Sequence, residues 1–383
     1  MSNNQPAIGF GLSRLPHLED GSVDIEKLKS LVDVYMASGF HNFETAFIYE
    51  KGKSELAFKE AVSSRFPRES FWLTDKFPLQ IHKGPDEWDN LVNISLERTG
   101  LEYIDLYYLH ALDRQLAAEY EPKGIWDFMK KLKDEGKVCY IGFSTHDNAE
   151  FVEKTLEEHG DVIDYVQIQL NWRDWENEVT QARLMYESIR RHGKLITVME
   201  PLRGGNLGSI PAEKCKMLTD RRPNASIASW GLRFAGSWDG VQVVHSGMNE
   251  FFQLEDNLNT FKNWEPMSDE EKALMQELVV ELEKIPSVKC TKCGYCVGDC
   301  PMKINIPRII ALYNEYLIYQ DLPRARRAYP FECEALKGRG LPSECIECGQ
   351  CEGICTQHLP IISILKEIDE TLSTPGMDMR VHP

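Results

Sequence analysis

The chain has 383 residues, of which 42% are hydrophobic, and a formal net charge of −17. A chain of this length and apolar content can bury a sizeable core and divide into one large and one small domain. The negative charge argues against binding to nucleic acid or to an anionic membrane, because both surfaces carry negative phosphates.

The first 265 residues alternate between short β-rich runs and helical stretches. Most of the β-rich runs begin about thirty residues apart, which is the length of one strand and one crossover helix. The runs are "IGFGL" (from Ile8), "HNFETA" (His41), "FWLTDKF" (Phe71), "YIDLYYLH" (Tyr103), "KVCYIGFS" (Lys137), "DYVQIQL" (Asp164), "KLITVME" (Lys194) and "GVQVVHSG" (Gly240). Eight such units predict an α/β fold of the (β/α)₈ TIM barrel type. An open doubly wound sheet is the rival, but "GFGLSRLPHLEDG" is not its G-x-G-x-x-G loop.

The composition changes after residue 265. The stretch "SDEEKALMQELVVELEKIP" has a capping-box spacing and apolar residues at helical period, which predicts a helix. We therefore predict a barrel over 1–265, a connecting helix over 266–286 and a small, mainly helical domain over 287–383. Within the last domain, "PRIIALYNEYLIYQ" and "PIISILKEIDETL" are predicted helices with apolar faces.

Eight of the eleven cysteines fall in two matching runs near the end of the chain. The runs are Cys290-x₂-Cys293-x₂-Cys296-x₃-Cys300-Pro301 and Cys345-x₂-Cys348-x₂-Cys351-x₃-Cys355. Each matches the bacterial ferredoxin pattern for [4Fe–4S] clusters. Three closely spaced thiolates can hold three corners of one cubane, and the fourth then serves another cluster. Zinc is the alternative, but zinc sites need only four ligands, so we predict two [4Fe–4S] clusters.

The resemblance to two-cluster ferredoxins implies a crossed set of ligands. The two implied sets are Cys290, Cys293, Cys296 and Cys355 for one cluster, and Cys345, Cys348, Cys351 and Cys300 for the other. The second run departs from the pattern, since Thr356 stands where a proline would follow the last cysteine. The 44 residues between Cys300 and Cys345 resemble the helical ferredoxin modules of respiratory iron–sulfur subunits. The other cysteines, Cys139, Cys215 and Cys333, are predicted to be packing residues.

The predicted barrel carries polar residues at the carboxyl ends of its strands, where barrel enzymes place their chemistry. These ends read "NFETAFIYEKGKSE", "LTDKF" and "LYYLHAL" after the second, third and fourth strands. Here the sequence resembles the aldo/keto reductases, through Glu44, Thr45, Ala46, Tyr49, Lys76 and His110. The resemblance covers about residues 6–262. With the cysteine runs included, the chain resembles the iron–sulfur-fused branch of that family.

The resemblance implies reduction of a carbonyl, or oxidation of an alcohol, in a small-molecule substrate. Tyr49 would be the general acid, and it needs a nearby cation because a phenol has a pKa near 10. Lys76 would be that cation, and Glu44 would keep Lys76 charged and oriented. His110 would orient the substrate oxygen. The family's usual acidic residue is Asp, so Glu44 places its carboxylate one methylene further out.

The resemblance also implies a nicotinamide cofactor, NAD(P)(H). The residues that fall at its contact positions are Ser144, Gln167, Met199, Arg203, Gly247 and Asn257. Thr145 replaces the family's asparagine, and the positions that would read a 2′-phosphate carry Gly247 and Gln253. Without a basic residue there, we predict no strong preference for NADPH.

Three alternatives follow from the combination of a hydride-type site with one-electron clusters. First, the barrel could use no nicotinamide and instead bind FMN, which handles both electron modes, or take its substrate's electrons from the clusters. Second, it could be a non-catalytic scaffold on an electron-transfer protein. Third, the clusters could be structural and never change their oxidation state. The start "MSNNQPAIGF" lacks a signal sequence, so a cytoplasmic location is expected. The clusters make a redox protein an expected additional partner.

Overall fold

The computed structural model describes residues 5–290, 293–298, 300–334, 338–355 and 357–374. The chain divides into two compact units. The first unit is Met1–Gly204 with Asn224–Gln276, and the second is Gly205–Pro223 with Glu277–Pro383.

The first unit contains a closed parallel barrel, in which each strand pairs with the next along the chain and the last pairs with the first. Its strands are β1 (Ala7–Gly11), β2 (Asn42–Glu44), β3 (Trp72–Phe77), β4 (Ile104–Leu109), β5 (Val138–Thr145), β6 (Tyr165–Gln169), β7 (Leu195–Met199) and β8 (Val241–Gly247). Every predicted β-rich run overlaps one of these strands, and the predicted barrel is confirmed. Strand β4 is buried along its whole length, as expected for a parallel strand covered on both faces.

Helices lie between successive strands and after the last strand in the sequence. In chain order they are α1 (Ile25–Ala37), α2 (Lys53–Phe58), α3 (Pro85–Thr99), α4 (Arg114–Tyr120), α5 (Ile125–Asp134), α6 (Ala149–His159), α7 (Ala182–Arg191), α8 (Lys216–Arg221), α9 (Ile227–Gly236) and α10 (Phe251–Lys262). Several begin at a side-chain cap; for example, Asp24 accepts a hydrogen bond from the backbone N–H of Lys27 at the start of α1. Aromatic residues fill the space between the strands and helices, and Phe43 contacts Phe58 and Phe71 edge to face.

The predicted helix after the barrel is α11 (Asp269–Glu283). Its capping box forms as the spacing indicates. The hydroxyl of Ser268 accepts the Glu271 N–H at 3.2 Å, and the Glu271 carboxylate accepts the Ser268 N–H at 3.3 Å.

Beyond this helix the described residues form short helices, and strands are absent from that described part. The helices are α12 (Tyr295–Gly298), α13 (Ile306–Tyr319), α14 (Leu322–Cys333), α15 (Gln350–Ile354) and α16 (Ile361–Leu372). The two predicted helices correspond to α13 and α16. Helix α14 is not among the predicted helices. Ile309, Tyr329 and Leu365 form part of one apolar core among α13, α14 and α16.

The second unit also includes a segment that lies between β7 and α9 in the sequence. Within this unit, the ammonium group of Lys214 donates to the carbonyl oxygens of Leu317 and Ile318 at 3.2 and 3.0 Å. These carbonyls belong to the last turn of α13, where a cation is favourable.

Two of the three remaining cysteines pack as predicted. Cys215 and Cys333 are fully buried. Cys139 is exposed on β5, so the prediction of a packing role is wrong for this residue. Among the residues that the structure describes, we find no helix long and apolar enough to cross a membrane.

Candidate functional site

Four predicted residues lie together at one end of the barrel. Glu44 is the last residue of β2, Lys76 is the penultimate residue of β3, and His110 directly follows β4. Tyr49 opens a 3₁₀ turn over Tyr49–Gly52. The strands are parallel and in register, so their carboxyl ends bring these side chains to the same place.

Lys76 is the centre of this cluster. Its ammonium group lies 2.7 Å from a carboxylate oxygen of Glu44, 3.1 Å from the hydroxyl of Tyr49 and 3.0 Å from the carbonyl oxygen of Thr45. An ammonium group has three N–H donors, and each therefore has a partner. The side chain is only 1% exposed, so it is held in place and shielded from water.

Glu44 and Lys76 form a buried ion pair. Burial by itself would raise the pKa of Glu44, but the charges of Lys76 and His245 and the hydrogen bonds from Lys76 and Gln167 together lower it to about 2. Burial opposes the charge on Lys76, but Glu44 and Tyr49 together raise the pKa of Lys76. The amide nitrogen of Gln167 donates to the same Glu44 oxygen at 2.7 Å. Both charges are therefore present at neutral pH.

Tyr49 and His110 are neutral in this environment. Burial raises the pKa of Tyr49 even though Lys76 opposes the shift, so the phenol keeps its proton and can donate it. Burial, reinforced by the charge of Lys76, lowers the pKa of His110 to about 3. The two rings meet edge to face with centroids 5.6 Å apart. Nδ1 of His110 is buried and has no hydrogen-bond partner among the described residues.

Three of the predicted cofactor residues lie on β5, β6 and β7. The hydroxyl of Ser144 accepts the Ala111 N–H at 2.8 Å, which fixes its position. The amide oxygen of Gln167 is buried and lacks a donor among the described residues, so it could accept a hydrogen bond from a carboxamide. Met199 ends β7 and is partly buried.

The other predicted cofactor residues follow β7 and β8. Gly247 ends β8, and the amide of the buried Asn257 donates to the hydroxyl of Ser246 at 3.1 Å. Arg203 is partly exposed, with Nε 3.5 Å from a carboxylate oxygen of the buried Asp174.

Gln253, at a position that would read a 2′-phosphate, is already engaged in the structure. Its side-chain oxygen accepts the backbone N–H groups of Asn249 and Glu250 and so caps α10.

Sequence reasoning missed two residues beside this site. His245 of β8 is 4% exposed, and neither ring nitrogen has a hydrogen-bond partner among the described residues. It faces Gly9 of β1, where an added Cβ would lie 2.3 Å from the His245 Nδ1. A histidine inside the apolar run "VQVVHSG" was the available signal.

The second missed residue is Arg14, which follows β1. Its guanidinium donates to the carbonyl oxygen of Gly204 at 2.7 Å and lies 3.9 Å from the Glu200 carboxylate. The side chain is half exposed, so it offers a cation at the same end of the barrel as Gly247, against which it packs. Its place in a loop after the first strand carried no local signal.

The cysteines come together in two cavities of the second unit. One cavity is lined by Cys290, Cys293, Cys296 and Cys355. The other is lined by Cys345, Cys348, Cys351 and Cys300. Each cavity thus collects three cysteines of one run and the last cysteine of the other, which is the predicted grouping.

The walls of both cavities are apolar. Ile306, at the start of α13, lines both of them. Burial raises the pKa of Cys296 and that of Cys351 to about 11, because a thiolate in these surroundings is unfavourable. A metal that ligates the sulfur would displace the proton. Four sulfurs around an apolar cavity fit an iron–sulfur cluster.

Residues 7–280 match the model described as "Aldo/keto reductase family". The chain belongs to the aldo/keto reductase family. The predicted family and enzyme class, an oxidoreductase, are therefore confirmed. Residues 289–359 match a model described as "4Fe-4S dicluster domain", so this aldo/keto reductase carries the predicted ferredoxin-type domain.

Curated relatives share the barrel part of this aldo/keto reductase. "Probable aldo-keto reductase 1" of Glycine max is 28% identical over 52% of this chain and 57% of its own length. "9,11-endoperoxide prostaglandin H₂ reductase" of Trypanosoma cruzi is 25% identical over 72% of this chain and 89% of its own length. The match thus spans little more than half of the first relative and most of the second.

Solved structures show the same fold. An aldo-keto reductase from Bacillus halodurans, in its holo form, has a TM-score of 0.58 and 22% identity over 71% of this chain and 91% of its own. An aldo-keto reductase from Klebsiella pneumoniae, solved "in complex with NADPH", has a TM-score of 0.58 and 21% identity over 72% of this chain and 91% of its own.

Proposed function

We propose that this aldo/keto reductase interconverts a carbonyl compound and the corresponding alcohol, with Tyr49 as the general acid. The observation that carries the proposal is the buried Glu44–Lys76 ion pair with the Tyr49 hydroxyl 3.1 Å from the ammonium group. A scaffold without catalysis gives no reason to bury two charges at a strand end, since each charge costs several kcal/mol to desolvate.

In the reductive direction, the carbonyl carbon receives a hydride and the carbonyl oxygen receives a proton. Tyr49 donates that proton, and the phenolate that remains is stabilised by the adjacent Lys76 ammonium group. Glu44 keeps Lys76 in place and charged. His110 is neutral, so one ring N–H can donate to the carbonyl oxygen and orient it towards Tyr49.

A nicotinamide cofactor would supply the hydride when bound. The unpartnered amide oxygen of Gln167 suits the carboxamide of a nicotinamide, and Ser144 and Met199 lie on the neighbouring strands. Arg14 and Arg203 are cations that could neutralise a pyrophosphate.

We further propose that NAD(H) is preferred to NADP(H). Gln253 is occupied in capping α10, and the Asp256 carboxylate accepts a hydrogen bond from the Ser226 hydroxyl. Neither residue offers a cation to a 2′-phosphate, for which a guanidinium would be the usual partner. Parallel titrations with NADH and NADPH test this proposal; tighter binding of NADPH would contradict it.

The second unit would hold two [4Fe–4S] clusters, each ligated by three cysteines of one run and the last of the other. The mixed lining of the two cavities supports this grouping. Each cluster passes one electron at a time, whereas a nicotinamide hydride already carries both electrons of the carbonyl reduction, so the clusters would serve a separate one-electron exchange. We propose that they exchange electrons with a redox protein.

Anaerobic purification tests these assignments. Iron and sulfide near eight per chain would support two clusters, and a value near four would contradict them. A flavin released by acid, without nicotinamide binding, would favour the alternative in which the barrel binds FMN.

The role of Tyr49 is tested by Y49F, with Y120F as the matched control. Tyr120 is a buried phenol whose hydroxyl donates to the Leu79 carbonyl, away from the cluster around Lys76. General acid catalysis contributes about 10²–10⁴-fold, so Y49F should lower the rate of carbonyl reduction by at least 100-fold. Y120F should retain activity. Equal activity of Y49F and the wild type would instead support a non-catalytic barrel.

A further inference from the structure

Two carboxyl groups lie buried behind the proposed active site. Glu55 of α2 and Asp75 of β3 are both 0% exposed. Asp75 immediately precedes Lys76, and successive side chains of a strand point to opposite faces, so Asp75 faces the helices while Lys76 faces the barrel end. Glu55 follows Tyr49 by six residues. The two carboxyl groups therefore belong to the two segments that carry the proposed acid and its cation.

The partners of these carboxyl groups leave one oxygen of each without a donor. The guanidinium of Arg98 donates to Oε2 of Glu55 at 3.1 Å, and the backbone N–H of Lys76 donates to Oδ1 of Asp75 at 2.7 Å. The remaining oxygens, Glu55 Oε1 and Asp75 Oδ2, have no donor among the described residues. Glu55 is the charged neighbour that acts on the Asp75 carboxyl. Two ionised carboxylates only accept hydrogen bonds, so a hydrogen bond between the two unpartnered oxygens would need a proton.

The charges around the pair lead to the same conclusion. Arg98 of α3 balances one negative charge, whereas Lys76 directs its ammonium group to Glu44 at 2.7 Å. The other facing groups are neutral hydroxyls, those of Tyr107 on β4 and Ser95 on α3. Two ionised carboxylates would leave one buried charge unbalanced, which is costly. Burial and the neighbouring Glu55 raise the pKa of Asp75 well above its usual value.

The segment after Tyr49 needs support from tertiary contacts. Glu50, Lys51 and Gly52 are all left-handed, with φ of 51°, 57° and 87°. A left-handed conformation is unfavourable for residues other than glycine. Arg98 packs against this segment, because its guanidinium lies 4.4 Å from the ring centroid of Phe47, and an added Cβ at Gly52 would lie 3.3 Å from it.

We infer that Glu55 and Asp75 share one proton, and that this hydrogen bond, completed by Arg98, holds the Tyr49 segment against the strand end that presents Lys76. Glu55, Asp75 and Arg98 are thus positioning residues for the proposed proton donor. The consequence for catalysis rests on the proposed function, but the clamp itself is a property of the folded barrel. Its presence can be measured without turnover.

Hydrogen exchange of the amides of residues 47–52 is the primary measurement, with variants D75N and D75A. In D75N the introduced amide can donate to Glu55, so the hydrogen bond is kept and protection of 47–52 should stay within about twofold of the wild type. In D75A the partner is lost, and exchange of 47–52 should rise roughly tenfold or more. If D75A does not fold, E55Q provides the second case, because its introduced amide donates to Asp75 and protection should again be kept.

The pH dependence separates a shared proton from simple packing. A carboxyl group whose pKa is raised in the folded state stabilises that state less as the pH rises through the folded pKa. After correction for the intrinsic exchange rate, protection of 47–52 in the wild type should therefore fall as pH rises. In D75N it should not fall, since no proton is left to lose.

D105A is the matched control. Asp105 is a buried carboxylate on the neighbouring strand, where it accepts the Leu73 N–H at 2.8 Å and pairs with Arg68 at 2.6 Å. Its loss should leave exchange of 47–52 unchanged. Equal exchange of 47–52 in D75A and the wild type would overturn the inference, as would a D75N variant no better protected than D75A. A chain that shows the clamp but reduces no carbonyl would contradict only the proposed function.

Discussion

The ion pair of Glu44 and Lys76 makes a quantitative prediction about stability. A pKa of about 2 for Glu44 instead of 4.5 corresponds to about 3 kcal/mol of stabilisation at neutral pH. Because this pKa is lowered, the contribution is complete above pH 4.5 and is lost as the pH falls towards 2. Removing the cation in K76M leaves a buried, unpaired carboxylate, which should cost about 3–5 kcal/mol at pH 7.

The sign of the pH dependence should reverse in K76M. Without Lys76, burial dominates and raises the pKa of Glu44, so protonation then stabilises the folded state. K76M should therefore gain stability as the pH falls from 7 to 5, whereas the wild type should show no such gain from this pair. The double variant E44Q/K76M should be less destabilised than K76M, because no unpaired charge remains.

Tryptophan fluorescence during anaerobic urea denaturation measures this effect in the relevant unit. All eight tryptophans lie within the ranges 1–204 and 224–276 of the first unit, so the signal reports the barrel. The matched control is K131M, since Lys131 forms a half-exposed ion pair with Asp89 at 2.8 Å. That pair should contribute about 0–1 kcal/mol. A K76M variant that is no less stable than K131M, or one that loses stability on acidification, would refute the reasoning.

Two further predictions concern the clusters and the barrel core. The C290A substitution should remove the first cluster and leave about four irons per chain. In that background, C300A should remove the remaining iron, whereas C355A should leave it in place. The opposite result would show uncrossed ligation. G9A should destabilise the barrel by about 1–3 kcal/mol, because the new Cβ would lie 2.3 Å from His245. Adding H245A should recover part of that loss in a denaturation series, and strictly additive losses would show that the contact is unimportant.

Much of the proposed site could be predicted because its residues follow strands at fixed places. Glu44, Lys76 and His110 each stand at the end of a β-rich run, and in a parallel barrel all such ends meet. The cysteine runs were equally readable, because cluster ligation depends on local spacing.

The clamp behind the site could not be predicted in this way. Glu55, Asp75 and Arg98 are ordinary charged residues in the sequence. Only the tertiary packing buries the two carboxyl groups and brings the partly exposed Arg98 against Glu55. The same holds for His245, whose place beside Gly9 depends on the β1–β8 pairing. Burial and charge balance are set by distant segments, so local patterns do not carry them.

The sequence by itself determined the order of strands and helices, the family and the two cysteine runs, because periodicity, caps and ligand spacing are local properties. Only the tertiary structure decided which polar groups are buried, which of them are charged, and that the segment 205–223 joins the cluster-bearing unit rather than the barrel. These outcomes depend on long-range packing, which sets the desolvation and the neighbouring charges of each group.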